Sequence, residues 1–555
     1  MKRILYITLI AALAASCSGF LEEHPATLFS EEQVYSSDES AQAAVNACYA
    51  YISNYKLYGQ KIQVLLNGGS GTMTLANTTS QYIVDIASLD IQTNNSAVED
   101  VYNGSYQTIN AVNDVLQKLP SAEGVSDAQK QRLLGECHFL RGVLYFNLVR
   151  MFGPVPFVDE PATSLESAHK TRCSIDKIYE LILADFNAAW EMLPNPGAQP
   201  KGRPQKYAAK AYLAKVNVAL ACIKEHPGEP FDASWLESDA KTYWQAAYDD
   251  ALDVWTNGGY SLVNNFAELW NCYNKYTSES IFELEENKVT GSCSFMYHYL
   301  PGYWEGVPLT NSSNNYGRIR AMRESWDLHH DTYPGDWRMD VTYLDSLYHR
   351  NNATSSSPGK LYYTYPYCQD NVPAGLSASD LSTSEEIPYI KKYVDDRFTA
   401  TDANVNVIVL RLADVLLTLA ESANELGKTS EAVGYVNRLL LRARTADDGF
   451  RSSPADWPLT LSQAECRARI MTEREIELKS ELSEWFDNRR RGADYLLSIM
   501  TRHNNRITGL SKNSTYDYWF TLTKENAKKN LLLPFPLAEI STNNNITEAD
   551  QNYGY

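Results

Sequence analysis

Apolar residues recur at helical spacing through both ends of the 555-residue chain. In Asp127–Phe152, Leu133, Cys137, Leu140, Leu144, Leu148 and Met151 fall 4, 3, 4, 4 and 3 residues apart, one stripe of a helix. Phe139, Val143, Phe146 and the stem of Arg150 form a second stripe, so this helix is predicted to be central. Gly135 and Gly142 share a side, where a neighbouring backbone would approach, and Gly153-Pro154 stops the helix. Similar patterns predict helices over Glu31–Tyr55 (with Ala41, Val45, Cys48 and Ile52 inward), Asp100–Leu119, Ile175–Leu193, Tyr207–Cys222 and Ala240–Trp255. After a gap they resume over Ile408–Leu426, Ser430–Arg444 and Ser462–Lys479. The tail from Leu531 reads as extended and broken by proline. Residues 17–270 and 407–555 are thus predicted to be a mostly helical scaffold. Residues 271–406, rich in Asn, Ser, Tyr, Pro and Gly, are predicted to be a loop-rich region with few short strands, where function usually sits.

Some helices pair in the manner of tetratricopeptide repeats. Ala413, Ala420 and Ala423 share a helix with Leu412, Leu416 and Leu419; Gly427 turns the chain, and Ala432, Val436 and Leu439 return. Ala208, Ala211 and Ala214 followed by Ala246, Ala247 and Ala251 repeat the scheme. Small residues let two helices approach, and stacking such pairs buries a continuous core. The expected fold class is mainly α, a helical-repeat scaffold.

The N-terminus adds a targeting signal. Lys2 and Arg3 precede an apolar run, Ile4–Ala14, too short to span a bilayer as a mature helix. Ala14-Ala15-Ser16-Cys17 resembles a bacterial lipobox. It predicts a signal peptide over residues 1–16 and a lipidated Cys17; an ordinary signal peptide with an incidental cysteine is the other reading. No later run is long enough for a membrane helix, so attachment would be through lipid only. The formal net charge of -19 argues against nucleic acid or anionic lipid as the main partner. There are 37 Tyr and 11 Trp against 16 Phe, a bias toward aromatics with a polar edge, which suit half-wet ligand platforms. The other eight cysteines are scattered, with neither zinc-site spacing nor a dense disulfide pattern.

Candidate chemistry is sparse. Cys137 and His138 are adjacent, but neighbours on a helix point about 100° apart and only i,i+3 and i,i+4 pairs face each other. A catalytic dyad is disfavoured against a buried thiol. His138, Arg141 and Tyr145 do share a face, where Arg141 is expected to pair with a carboxylate or carbonyls of a neighbouring helix. No nucleophile-elbow, zinc-protease, dinucleotide or P-loop motif is present. His329-His330-Asp331 suggests a polar turn before a metal site, and Gly69–Thr72 a flexible loop. The acids and arginines of Thr472–Gly492 are expected to pair within and between helices rather than to form a nucleic-acid patch. No catalytic residue, cofactor or metal ligand is assigned.

Several segments are similar to the SusD-like (RagB/SusD) outer-membrane nutrient-binding lipoproteins of Bacteroidetes. Glu136, Phe139, Leu140, Arg141, Tyr145, Phe146, Gly153, Val155 and Pro156 match that family's E-x-x-F-L-R-A…Y-F…G-x-V-P segment, with Gly142 in place of Ala. Ile109–Asn113, Leu410–Asp414 with Ala420–Ser422, Asn437–Ala443, Glu473–Asp487 and Gln551–Tyr555 resemble further motifs in the family's order. Departures are Leu482 and Glu484, where Gly and Arg are usual, and Tyr553 for Pro. The resemblance implies four tetratricopeptide-like units under a variable, loop-rich half. It also implies a surface-exposed lipoprotein of the outer membrane that captures an oligosaccharide or polysaccharide, or in some relatives a peptide. The resemblance further implies that the captured ligand is passed to a TonB-dependent (SusC-like) transporter without chemistry.

Sugars present apolar C–H faces and hydroxyl edges, so a site needs flat aromatics beside amides, carboxylates or arginine. Tyr297–Arg320 offers Tyr299, Tyr303, Trp304 and Tyr316 with Asn314, Asn315, Arg318 and Arg320; Asn77–Asn95 offers Tyr82 with Asn77, Gln81, Asp85, Asn94 and Asn95. The ligand-binding residues expected are Trp304, Tyr303, Tyr316, Asn314, Arg318, Tyr82 and Asn94. Tyr362, Tyr363, Tyr365 and Tyr367 alternate as in a strand or a transporter-facing edge. A peptide-capturing or purely structural lid with no sugar affinity is the competing expectation.

Overall fold

The structure, a computed structural model of the chain, describes residues 34–76, 79–198, 201–286, 298–299, 317–344, 346–349, 360–363, 365–367, 372, 374–381, 387–393, 404–510 and 516–555. The predicted signal peptide and the predicted lipidation site, Cys17, lie outside them.

Local chemistry sets the first helices. Helix α1 (Asp38–Ile52) starts where Ser37 and Ser40 form a reciprocal capping box, later than the predicted Glu31, and buries Ala41, Val45, Cys48 and Ile52 as expected. A short α2 (Gln81–Ala87) follows. Helix α3 (Ser96–Lys118) begins before Asp100 because the Asn95 side chain accepts from Ala97 N. Helix α4 (Asp127–Phe152) has the predicted bounds and is buried nearly all round; Gly153 ends it at φ 72°. A Cβ on Gly135 would lie 3.1 Å from the backbone nitrogen of Leu193. On Gly142 it would meet the Phe186 ring at 3.0 Å, so there a side chain, not a backbone, makes the close approach.

The array continues with α5 (Ile175–Met192), α6 (Lys206–Glu225) and α7 (Ala240–Asn257). Helix α1 packs on α3, α4 on α5 and α6 on α7, and each pair stacks on the next through α3 on α4 and α5 on α6. The fourth pair, which stacks on α7, follows the loop-rich region. The predicted helix over Ile408–Leu426 divides: Val407–Arg411 is a strand that pairs antiparallel with Ser280–Leu284, and the helix starts at Leu412. The β-branched run Val407-Ile408-Val409 suits a pleated, half-buried surface, and its partner strand lay in the part read as irregular. The segment between contributes two helices, α8 (Arg323–Thr332) and α9 (Trp337–Thr342). Then α10 (Leu412–Glu425) and α11 (Thr429–Ala443) form the pair, and α12 (Gln463–Glu477) packs on both.

The C-terminal quarter holds more helix than the sequence pattern indicates: α13 (Ser483–Arg490), α14 (Gly492–Ile507), α15 (Lys524–Lys529) and α16 (Leu537–Thr542), the last interrupting the tail read as extended. The tail straps the end of α4. Leu533 N donates to Met151 O at 2.7 Å, and Asn552 Nδ2 donates to Phe152 O and Leu533 O at 2.9 and 2.7 Å. The bonds to Met151 O and Phe152 O satisfy carbonyls that the helix terminus leaves open.

A four-stranded sheet joins the ends of the loop-rich region, in the order β1 (Met73–Leu75), β5 (Ile319–Ala321), β9 (Tyr389–Ile390), β6 (Tyr343–Leu344), where β2 (Val155–Pro156) and β3 (Arg172–Cys173) pair separately and β4 is Ser280–Leu284. Strands β7 (Ser346–His349) and β8 (Lys360–Tyr363) form their own antiparallel pair, which puts Tyr362 and Tyr363 on a strand. Among the described residues no helix is long and apolar enough to cross a membrane.

Candidate functional site

The polar groups buried in the scaffold are spent on structure. Cys137 is fully buried, and a hydrogen bond with Cys48 together with burial holds its thiol well above the usual range. His138 turns away from it: Nδ1 lies 2.7 Å from Asp185 Oδ1, and Arg141 donates to both oxygens of the same carboxylate at 2.8 Å. His138 and Arg141 thus converge on one acid of α5, as their shared face implies. His329 and His330 lie on a helix rather than in a turn. His329 is buried, 3.1 Å from Asp336, and His330 is exposed beside Asp331. Among the described residues no group of three potential ligands is placed to hold a metal ion.

Thr472–Gly492 is a buried ion-pair lattice. Glu477 takes Arg338 at 2.7 Å, Arg411 at 2.7 Å and Arg442. Burial alone would raise its carboxyl, but the three guanidinium groups hold it well below the usual range. Glu421 lies under Arg490 and Arg491, and Asp414 under Lys215 and Arg474. Gly69–Thr72 belongs to this interior and is no flexible loop: Ser70 and Thr72 are fully buried, and Arg489 Nη2 donates to Gly69 O at 2.8 Å. Leu482 takes φ 68°, the left-handed region where glycine is at ease, and Glu484 receives Thr72 Oγ1 at 2.7 Å and Lys479 Nζ at 2.5 Å.

The residues just before Asn77–Asn95 pair with the end of Tyr297–Arg320. Met73, Thr74 and Leu75 pair with Ala321, Arg320 and Ile319, and Ala76 N donates to Arg318 O at 2.7 Å. Ala76 and Arg318 therefore adjoin at the end of the β1–β5 pairing. Beneath them, Gln60 Nε2 lies 2.6 Å from His298 Nε2. Burial, with Arg318 and Lys61 nearby, pushes His298 down to about 3, so its imidazole is neutral at ordinary pH. Lys61 Nζ sits 4.5 Å from the centroid of the half-buried Tyr82 ring and 3.5 Å from Asp100.

Of the seven expected binding residues, Trp304, Tyr303, Tyr316 and Asn314 lie outside the described residues, as do Asn77 and Asn315. Tyr82 lies against Lys61, and Arg318 and Lys61 both act on His298. Asn94 is exposed just before α3 and is not tied to that group. Three others are scaffold. Tyr299 is fully buried; it accepts from Asn67 Nδ2 and donates to Gln63 Oε1, both at 2.8 Å. Arg320 is buried on the Tyr389 ring, 3.9 Å from its centroid, and donates to Tyr389 Oη at 2.6 Å. Asn95 caps α3 and donates to Tyr82 O at 2.9 Å.

A second aromatic group follows β5 directly and was not legible as one. Trp326 and His330 stack with centroids 4.9 Å apart and planes 12° apart. Tyr365 stands edge-on to Trp326 at 5.2 Å and donates to Asp327, while Arg506 Nη2 donates to Tyr365 Oη at 2.7 Å. The i,i+4 spacing of Trp326 and His330 was the available signal; it needed the helix to be recognised.

Comparison with known proteins completes the picture. Residues 244–555 match the model of the SusD family. Residues 20–218 match a family described as starch-binding, associating with the outer membrane. SusD-like protein P25 of Formosa agariphila is 24% identical over 584 residues, covering 100% of this chain and 99% of its own. SusD-like protein P2 of the same organism is 27% identical, with 99% of each chain covered. A SusD homologue from Bacteroides thetaiotaomicron has the same fold, with a TM-score of 0.74 at 20% identity, over 95% of this chain and 99% of that one. A laminarin-binding SusD-like protein superposes with a TM-score of 0.66 at 22% identity, over 94% and 100%.

Proposed function

Because the chain belongs to the SusD family, we propose that it is a non-catalytic glycan-capturing lipoprotein of the outer-membrane surface, anchored through Cys17. It hands an oligosaccharide or polysaccharide to a TonB-dependent, SusC-like transporter. The binding surface proposed comprises Trp304, Tyr303, Tyr316, Asn314 and Arg318 from one segment and Tyr82 and Asn94 from the other. The observation that carries this reading is the β1–β5 pairing, which starts both aromatic-bearing segments from adjacent positions. Lys61 and Asp100 beside Tyr82 supply a donor and an acceptor for hydroxyls next to an aromatic face. The match to a starch-binding, outer-membrane-associated family and the likeness to a laminarin-binding protein support the ligand class. The buried thiol and the paired carboxylates of the scaffold support binding without chemistry.

Affinity electrophoresis against a panel of polysaccharides tests this. The chain should be retarded by at least one glycan, with no reducing ends released on incubation. Free migration through the whole panel, or product release, would overturn it.

A further inference from the structure

A cavity of about 80 Å³ lies in the scaffold among α4, α5, α6, α10, α12 and α13. A second, of about 50 Å³, shares Arg150, Lys215, Ser483 and Phe486 with it. The carboxylates there are already committed: Asp487 to Arg474 and Arg490, Glu421 to Arg490 and Arg491, Asp414 to Lys215 and Arg474. Glu229 accepts from Ala493 N at 3.0 Å.

Arg150 has no such partner. Its guanidinium lies between the rings of Phe146 and Phe486, 3.6 Å from each centroid. Nε donates to Phe146 O at 2.9 Å and Nη2 to Asn147 Oδ1 at 2.7 Å; among the described residues Nη1 has no acceptor and the group no ion pair. Burial pushes it down to about 10 against the pull of the nearby Asp487 carboxylate, and the side chain as a whole is half-buried. Four atoms on the lining residues are buried without a hydrogen-bond partner: Tyr179 Oη, Arg474 Nη1, Ser483 Oγ and Trp485 Nε1. Each of these atoms can donate, and a buried donor left unmet costs stability. Helix α13 begins at Ser483 with no side-chain cap, and helix starts favour anions. Glu484, in the same turn, is taken up by Thr72, Lys479 and Ser480 N.

We propose that this cavity binds a small inorganic oxyanion, phosphate or sulfate, held by Arg150 and the uncapped start of α13. A forked guanidinium with several unmet donors suits several acceptor oxygens better than one spherical ion. The anion would knit α4 to α13 from within.

Equilibrium dialysis of the full chain against labelled phosphate, with ionic strength fixed by sodium chloride, tests it. Thermal unfolding at rising phosphate runs in parallel. The expected result is saturable uptake of one phosphate per chain, displaced by sulfate, with a midpoint that climbs until the site is full. Arg150→Met should weaken uptake by at least about tenfold, the loss expected for a charge-assisted bond. Ser483→Ala, a smaller change that keeps the core, should weaken it measurably; Lys177→Met, at an exposed pair, should not. No saturable uptake by the wild-type chain, equal competition by chloride, or uptake untouched in Ser483→Ala would overturn the proposal.

Discussion

Arg338 joins the loop-rich half to the scaffold, and its removal should be costly. It lies in α9, fully buried. Nη1 donates to Glu473 Oε1 at 2.5 Å and Glu477 Oε2 at 2.7 Å, and Nη2 donates to Asp336 Oδ2 at 2.7 Å. In Arg338→Met the acids fare differently. Glu477 keeps Arg411 and Arg442, and Asp336 keeps His329 at 3.1 Å. Among the described residues Glu473 loses its only cation, and its other oxygen already has no partner. Breaking a buried pair by removing one member costs about 3–5 kcal/mol, most of it the stranded charge. Glu473→Gln in the Arg338→Met background should return at least about 1 kcal/mol, because the stranded charge is gone. The loss should also shrink as pH falls from 7 toward 5, since burial already raises the Glu473 carboxyl and protonation neutralises it. Urea unfolding followed by tryptophan fluorescence measures all three, read as midpoint shifts at constant slope. A loss below about 1 kcal/mol for Arg338→Met, or strict additivity with Glu473→Gln, would refute the reasoning.

Two other outcomes follow from the same lattice and from the tail. Burial opposes ionisation of Glu477, Glu475 and Glu421, but arginine and lysine neighbours hold all three below the usual glutamate range, Glu475 and Glu421 at about 2. Carboxylates depressed on folding contribute stability that is whole above their unfolded values and lost as pH falls through their folded ones. Urea midpoints should therefore hold from pH 7 to about 5 and drop between about pH 4.5 and 2; a midpoint rising in that window would contradict the pairing. Asn552→Ala removes one bond from the tail to the end of α4 and one within the tail and should cost about 1–3 kcal/mol, with faster proteolysis of the C-terminal residues; unchanged cleavage would show that the strap is held elsewhere.

The scaffold was legible because its signals are local. The α4 stripes, Gly153-Pro154 and the alanines of α6, α7, α10 and α11 state periodicity, stops and close approach within a few turns of chain. Val407–Arg411 was misread because an apolar run of that length suits strand or helix, and the deciding partner, Ser280–Leu284, is remote in sequence. Helices α13 and α14 were missed for a related reason. Their buried face carries Glu484, Asp487, Arg489, His503 and Asn504, polar groups paired across the interior, so hydropathy does not mark it. At the site, composition picked out both segments but could not separate platform from scaffold. Tyr299 and Arg320 share the residue types of a sugar-binding surface and are consumed by Gln63, Asn67 and Tyr389. Only the sheet register shows that Ala76 and Arg318 adjoin.

The central claim is that these two segments, more than two hundred residues apart, act as one glycan site. Titration calorimetry of the retarding oligosaccharide against wild type, Tyr82→Ala, Trp304→Ala and the double variant tests it most directly. One shared site predicts that each single change weakens binding by about tenfold or more, with losses that fail to add in the double variant. Wild-type affinity in Tyr82→Ala, or simple additivity of the two losses, would contradict it.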